Sequence, residues 1–151
     1  MPTKAELEAE LKEAIRHSQD LRKRTLRMVL SAVKLAEVDQ RGTLDEAGVL
    51  KVIQKEAKGR RETIEDALKA ARPDLVEAAE AELALLESYL PKPLSEAELE
   101  QMADQVISDT GASGAEDLGM VMGRMMAQTA GRADGGQVSQ IVRRLLAEPK
   151  A

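Results

Sequence analysis

The chain has 151 residues, a net charge of -5 at pH 7, no cysteine, and Tyr89 as its single aromatic residue, which excludes disulfide frameworks, thiolate zinc sites and cysteine nucleophiles and leaves little scope for metal binding. No apolar run approaches the ~20 residues that span a bilayer, and no basic-then-apolar segment directs export, so no membrane partner is expected and a cytoplasmic location is the default. The acidic balance argues against an indiscriminate nucleic-acid coat, so any polyanion site depends on cations clustering locally.

Ala, Leu, Glu, Lys, Arg and Met dominate the composition and strand formers are scarce, which predicts an all-α fold with a core of Leu, Ile, Val, Met and Ala. Four helix starts are written as capping boxes: Thr3 with Glu6, Thr43 with Glu46, Ser95 with Glu98, and Ser113 with Glu116. Asp134 with Gln137 gives a fifth start, and Pro73 suits a first helical turn, where its missing amide costs nothing. The expected helices run at about 4–17, 20–40, 44–70, 74–89, 96–109, 114–129 and 135–147. Only the last few residues have a composition that suggests disorder.

The first helix ends at His17, the only histidine, where a cation suits the exposed carbonyls. No nucleophile or metal ligand has a recognisable spacing to it. In the second helix Lys23, Arg24, Arg27, Ser31, Lys34 and Arg41 fall within an arc of roughly 100°. Leu26, Met28, Val29, Leu30, Val33, Leu35 and Ala36 cover its other sides, so this helix should lie centrally and show solvent only its basic edge. The stripe would run ~25 Å from Arg24 to Arg41, long enough to follow several phosphates of an RNA backbone. The plainer alternative is that a helix buried on three sides must be charged on the fourth.

In the third helix Glu56 and Arg60 project into the apolar stripe of Val49, Ile53, Ile64 and Ala67, and should pair with each other or with a neighbouring helix. Gly59 beside them suggests close backbone approach. Pro91 and Pro93 flank Lys92 where helix cannot continue. They divide the chain into a four-helix domain, residues 1–92, and a small three-helix domain, residues 93–151. With fewer than 60 residues, the second should lean on a partner surface or on the first domain.

In the tail Gly119 and Gly123, one turn apart, suggest close helix packing, with Met120, Met122, Met125 and Met126 around them as core or as an adaptable surface. Gly131 can end one helix in the left-handed conformation while Asp134 caps the next. Arg132 on that short turn, beside a helix N-terminus, suits a phosphate. A salt bridge to Asp134, Glu116 or Asp117 would explain it equally well.

The run Asp117-Leu118-Gly119-Met120-Val121-Met122-Gly123, the turn Gly131-Arg132-Ala133-Asp134-Gly135-Gly136, the upstream Leu86-Glu87-Ser88-Tyr89-Leu90-Pro91, and Val138, Ile141, Val142, Leu145 and Leu146 closely resemble the GatB/YqeY family of small helical proteins. The likeness extends from Arg27-Met28-Val29 through Arg72-Pro73-Asp74-Leu75 to the last helix. The resemblance implies kinship with the tail of GatB, a subunit of tRNA-dependent amidotransferase, whose tail leans on the outer corner of the tRNA while other parts perform the chemistry.

The implied role is a non-catalytic accessory module for folded RNA, tRNA above all, or for a tRNA-modifying or aminoacylation enzyme, with no cofactor. Lys23, Arg24, Arg27, Lys34, Arg41 and Arg132 are the candidate contacts. The alternatives are an adaptor docking on a larger enzyme, or the family's carbon-nitrogen ligase activity with glutamine as amide donor. That last activity needs a phosphate cradle and a paired nucleophile, which cannot be assembled from these residues.

Overall fold

The computed structural model describes residues 2–129 and 131–148, and among them every regular element is helical. Residues 149–151, which include the tail end expected to be disordered, lie outside the described residues. The chain divides into two compact units, Met1–Pro91 and Lys92–Ala151.

The first unit contains α1 (Lys4–Arg16), α2 (Asp20–Gln40), α3 (Glu46–Lys69) and α4 (Pro73–Tyr89). α1 packs mainly on α2 and α3 mainly on α4, while α2 touches all three other helices. The cause is the apolar side of α2, where Leu26, Val29 and Val33 are buried with Leu7 and Ala14 of α1, Val49, Ile53 and Ala57 of α3, and Leu86 of α4. With ~25 cal/mol gained per Å² of apolar surface removed from water, this shared core holds the four helices together. The helix is central, as expected, but it shows solvent more than its basic edge. Leu35 and Val38 are 64% and 66% exposed, because α1, α3 and α4 cover only the side that carries Leu26, Val29 and Val33.

The second unit contains α5 (Glu96–Thr110), a 3-10 turn at Ala115–Asp117, α6 (Leu118–Thr129) and α7 (Gly135–Ala147). Its core is Leu99, Ala103, Val106 and Ile107 of α5, Val121 and Met125 of α6, and Val138, Ile141, Val142 and Leu146 of α7.

Local signals placed several helix ends correctly. Thr3 and Ser95 form complete capping boxes, Asp134 accepts from the Gln137 amide, and Pro73 opens α4. Gly131 is left-handed at φ 83°. Two expected boxes do not form. At α3 the cap is Asp45, whose carboxylate accepts from the Gly48 amide at 2.8 Å, so the helix starts beyond Thr43. Near Ser113 the chain makes a 3-10 turn, and Asp117 accepts from the Ser113 amide at 2.9 Å.

The glycines also differ from expectation. A Cβ at Gly59, Gly119 or Gly123 would meet nothing within 4 Å, so none of them marks close helix approach within the described residues. Arg60 turns to α4, where Nη1 donates to Glu82 Oε2 at 3.0 Å, and does not pair with Glu56.

Candidate nucleic-acid interface

The basic edge of α2 lies between two helices that each bring carboxylates to it. On the α1 side Lys4 Nζ donates to Glu37 Oε2 at 2.7 Å, and Arg22 Nη2 donates to Glu10 Oε2 at 3.0 Å. On the α4 side Arg24 Nε donates to Glu82 Oε1 at 3.2 Å. These two flanks decide which cations of the stripe are already engaged.

Glu37 also accepts from the Leu44 amide at 3.2 Å. The Lys4 hydrogen bond, helped by that amide, holds the Glu37 carboxyl below the usual carboxylate range, and Glu37 in turn raises the Lys4 ammonium. Glu37 is therefore a committed anion despite its place beside the basic edge. Glu10 accepts from both Arg22 and the Tyr89 hydroxyl, tying α1, α2 and the end of α4 together. Burial, then the hydrogen bond to Glu10, pushes the Tyr89 phenol up to about 12.

The six candidate residues separate accordingly. Lys23 sits 3.3 Å from Asp20, and Arg24 is held by Glu82. Arg27 and Lys34 are exposed, and among the described residues neither side chain has a hydrogen bond or ion pair. They are seven residues apart, ~10 Å along one face at 1.5 Å per residue. Arg41 is also exposed and without a side-chain partner among the described residues. Its backbone is left-handed at φ 56°, where its amide and that of Gly42 donate to Val38 and Glu37 carbonyls at 3.2 and 3.1 Å and close the helix.

Arg27, Ser31 and Lys34 line an open groove of about 820 Å³ along α1 and α2, with Leu11, Leu30 and Val38 as apolar wall. Lys4, Glu8 and Glu37 complete its charged lining. The groove thus presents two unclaimed cations, one committed ion pair, and Glu8 at the far side.

Arg132 belongs to the second unit and is fixed by main-chain bonds. Its Nε donates to the Lys92 carbonyl at 3.0 Å, its amide to the Thr129 carbonyl at 2.7 Å, and its carbonyl accepts from the Leu94 amide at 2.8 Å. None of the acids expected as alternatives pairs with it among the described residues. Sequence spacing could not reveal this stitch, because its partners lie about 40 positions away in a proline-flanked segment. His17 is exposed at the end of α1, with Nε2 3.4 Å from Glu13.

Among the described residues no group of three or more His, Asp or Glu side chains could hold a metal ion. No described helix is long and apolar enough to cross a membrane.

A model of the family described as Yqey-like protein matches residues 4–146. The chain is 37% identical over 108 residues to "Altered inheritance of mitochondria protein 41, mitochondrial" of Lachancea thermotolerans, covering 70% of this chain and 58% of that protein. The protein of the same name in Pyrenophora tritici-repentis is 28% identical over 143 residues, covering 93% and 78%. A glutamyl-tRNA(Gln) amidotransferase subunit of Thermococcus gammatolerans is 46% identical over 59 residues, 36% of this chain and 9% of that subunit. The chain thus spans little more than half of the first of these relatives and a small part of the last.

The relatives correct the cytoplasmic default, because five of them are mitochondrial by name. The default rested on the absence of membrane and export signals, and that absence does not distinguish one aqueous compartment from another. With the family model covering nearly all of it, the chain belongs to the YqeY-like family.

Proposed function

We propose that this chain is a non-catalytic accessory module that binds folded RNA of the tRNA kind. The observation that carries the reading is the pair Arg27 and Lys34, two exposed cations on one helix face that no carboxylate of the described chain claims. Arg41 extends the grip, and Arg132, whose terminal guanidinium nitrogens have no partner among the described residues, is the contact of the second unit. Lys23 and Arg24 are engaged by Asp20 and Glu82 and contribute little.

The likeness to a tRNA-dependent amidotransferase subunit supports the choice of RNA. So does the state of the single aromatic. Unstacked bases are usually held on aromatic platforms, and Tyr89 is half-buried with its hydroxyl on Glu10. A protein built this way reads backbone shape in folded RNA.

The test is a mobility shift of unfractionated tRNA at low salt with the wild type and Arg27→Glu/Lys34→Glu. The wild type is expected to shift tRNA and the double variant to lose the shift. Equal shifts would overturn the reading.

A second reading, an adaptor that docks on a larger tRNA-modifying enzyme, is favoured by the outer face of α6. Gly119 and Gly123 open onto empty space there, and Met120 and Met126 are 45% and 40% exposed. Each helical glycine costs up to ~1 kcal/mol relative to alanine, and no internal packing repays these two. Under this reading Gly123→Leu loses a partner protein in pull-downs and leaves the tRNA shift unchanged. Retention of the same partner would contradict it.

A further inference from the structure

We propose that Glu82 is a built-in competitor for phosphate on the α2 edge, which sets how many cations that edge offers; this rests on the RNA reading above. Glu82 stands on α4 with its side chain only 13% exposed, and both of its oxygens are taken. Oε2 accepts from Arg60 Nη1 at 3.0 Å and Oε1 from Arg24 Nε at 3.2 Å.

The two arginines are not equivalent. The Arg60 side chain is 28% exposed, and its Nε is buried without a partner among the described residues, so it depends on the carboxylate for compensation. Arg24 is 60% exposed and held through Nε alone. Arg60 therefore anchors the carboxylate, and the anchored carboxylate offsets Arg24.

The consequence follows from counterion release. Affinity for a polyanion rises with the number of phosphates that protein cations neutralise, and each phosphate so neutralised steepens the salt dependence by about one unit. Arg24 lies one turn before Arg27, on the approach to the same backbone. With a carboxylate at hydrogen-bond distance behind it, Arg24 presents a phosphate with close to no net charge. Removing the Glu82 charge while keeping its shape and an acceptor oxygen releases that cation to the RNA.

The experiment measures tRNA binding against salt for the wild type, Glu82→Gln, Arg24→Gln and the double variant. Glu82→Gln is expected to bind about 3–10-fold tighter at low salt, with a slope steeper by about one. Arg24→Gln in that background should return binding to the wild-type level. Equal or weaker binding by folded Glu82→Gln would overturn the proposal. Should that variant fail to fold because Arg60 is stranded, Arg24→Gln alone decides. The expected loss is then below about twofold, and a loss of about fivefold or more contradicts the proposal. If the Arg27→Glu/Lys34→Glu variant loses the shift while Glu82→Gln changes nothing, the Glu82 inference fails and the RNA reading stands. If no chain binds tRNA, wild type included, both fall.

Discussion

The two halves of α2 carry the same kinds of cation and put them to different uses. In the first half Arg22 is bonded to Glu10, Lys23 to Asp20 and Arg24 to Glu82. In the second half Arg27, Lys34 and Arg41 meet no carboxylate among the described residues. Residue type does not separate the two groups. The difference is which neighbour lies alongside: α1 brings Glu10 and α4 brings Glu82 to the start of the helix. Exposed ion pairs contribute about 0–1 kcal/mol each, so the engaged cations mainly orient helices. The unengaged ones add nothing to the fold, and their use must lie outside it.

The largest effect that bears on this contrast is the Arg27→Glu/Lys34→Glu reversal. It should abolish the tRNA shift while moving the melting temperature by less than about 2 °C, since neither residue has a partner to lose. A large loss of stability would show that the second half is structural after all.

The engaged half is tested through Tyr89, which shares Glu10 with Arg22. Burial and the Glu10 hydrogen bond raise the phenol to about 12, above its ordinary value of 10.0. A group raised on folding stabilises fully below its unfolded value and loses that contribution as pH climbs to its folded one. Tyr89 should therefore support the fold up to about pH 10, with its contribution fading by about pH 12. Phenolate absorbance follows it without interference, because there is one tyrosine. A native midpoint near 10, equal to that in urea, would show that the cluster at the start of α2 does not form.

The smallest effect concerns Arg41, a non-glycine residue held left-handed at the end of α2. Glycine reaches that conformation freely, so Arg41→Gly should raise stability by about 0.5–1 kcal/mol. The same change should flatten the salt dependence of tRNA binding by about one unit. Ser18 and Ala71 are left-handed too, so strain alone does not single out Arg41. A combined gain in stability and loss in salt dependence would.

Much of the fold could be read locally. Helix signals act over a few residues, and the caps at Thr3, Ser95 and Asp134, the proline at α4 and the left-handed Gly131 are such signals. Reading failed where a nearer competitor won or where the signal was silent. Asp45 displaced Thr43 as the cap of α3, and Ser18, Arg41 and Ala71 close helices without the glycine that marks such ends.

The site was less legible because its character comes from other helices. Arg60 and Glu56 have ideal spacing for a pair, yet Glu82 lies 22 positions from Arg60 and takes it. The angular position of Arg24 places it on the basic edge, but nothing near it in sequence announces its carboxylate 58 residues on. The small-residue spacing of Gly119 and Gly123 is plain in the sequence, while their openness depends on what the fold leaves uncovered.

The most direct test of the α2 grip compares the salt dependence of tRNA binding between the wild type and Arg27→Gln/Lys34→Gln, which removes two charges without introducing opposite ones. The predicted slope is shallower by about two units, one for each phosphate no longer neutralised. Parallel slopes for the two proteins would contradict it.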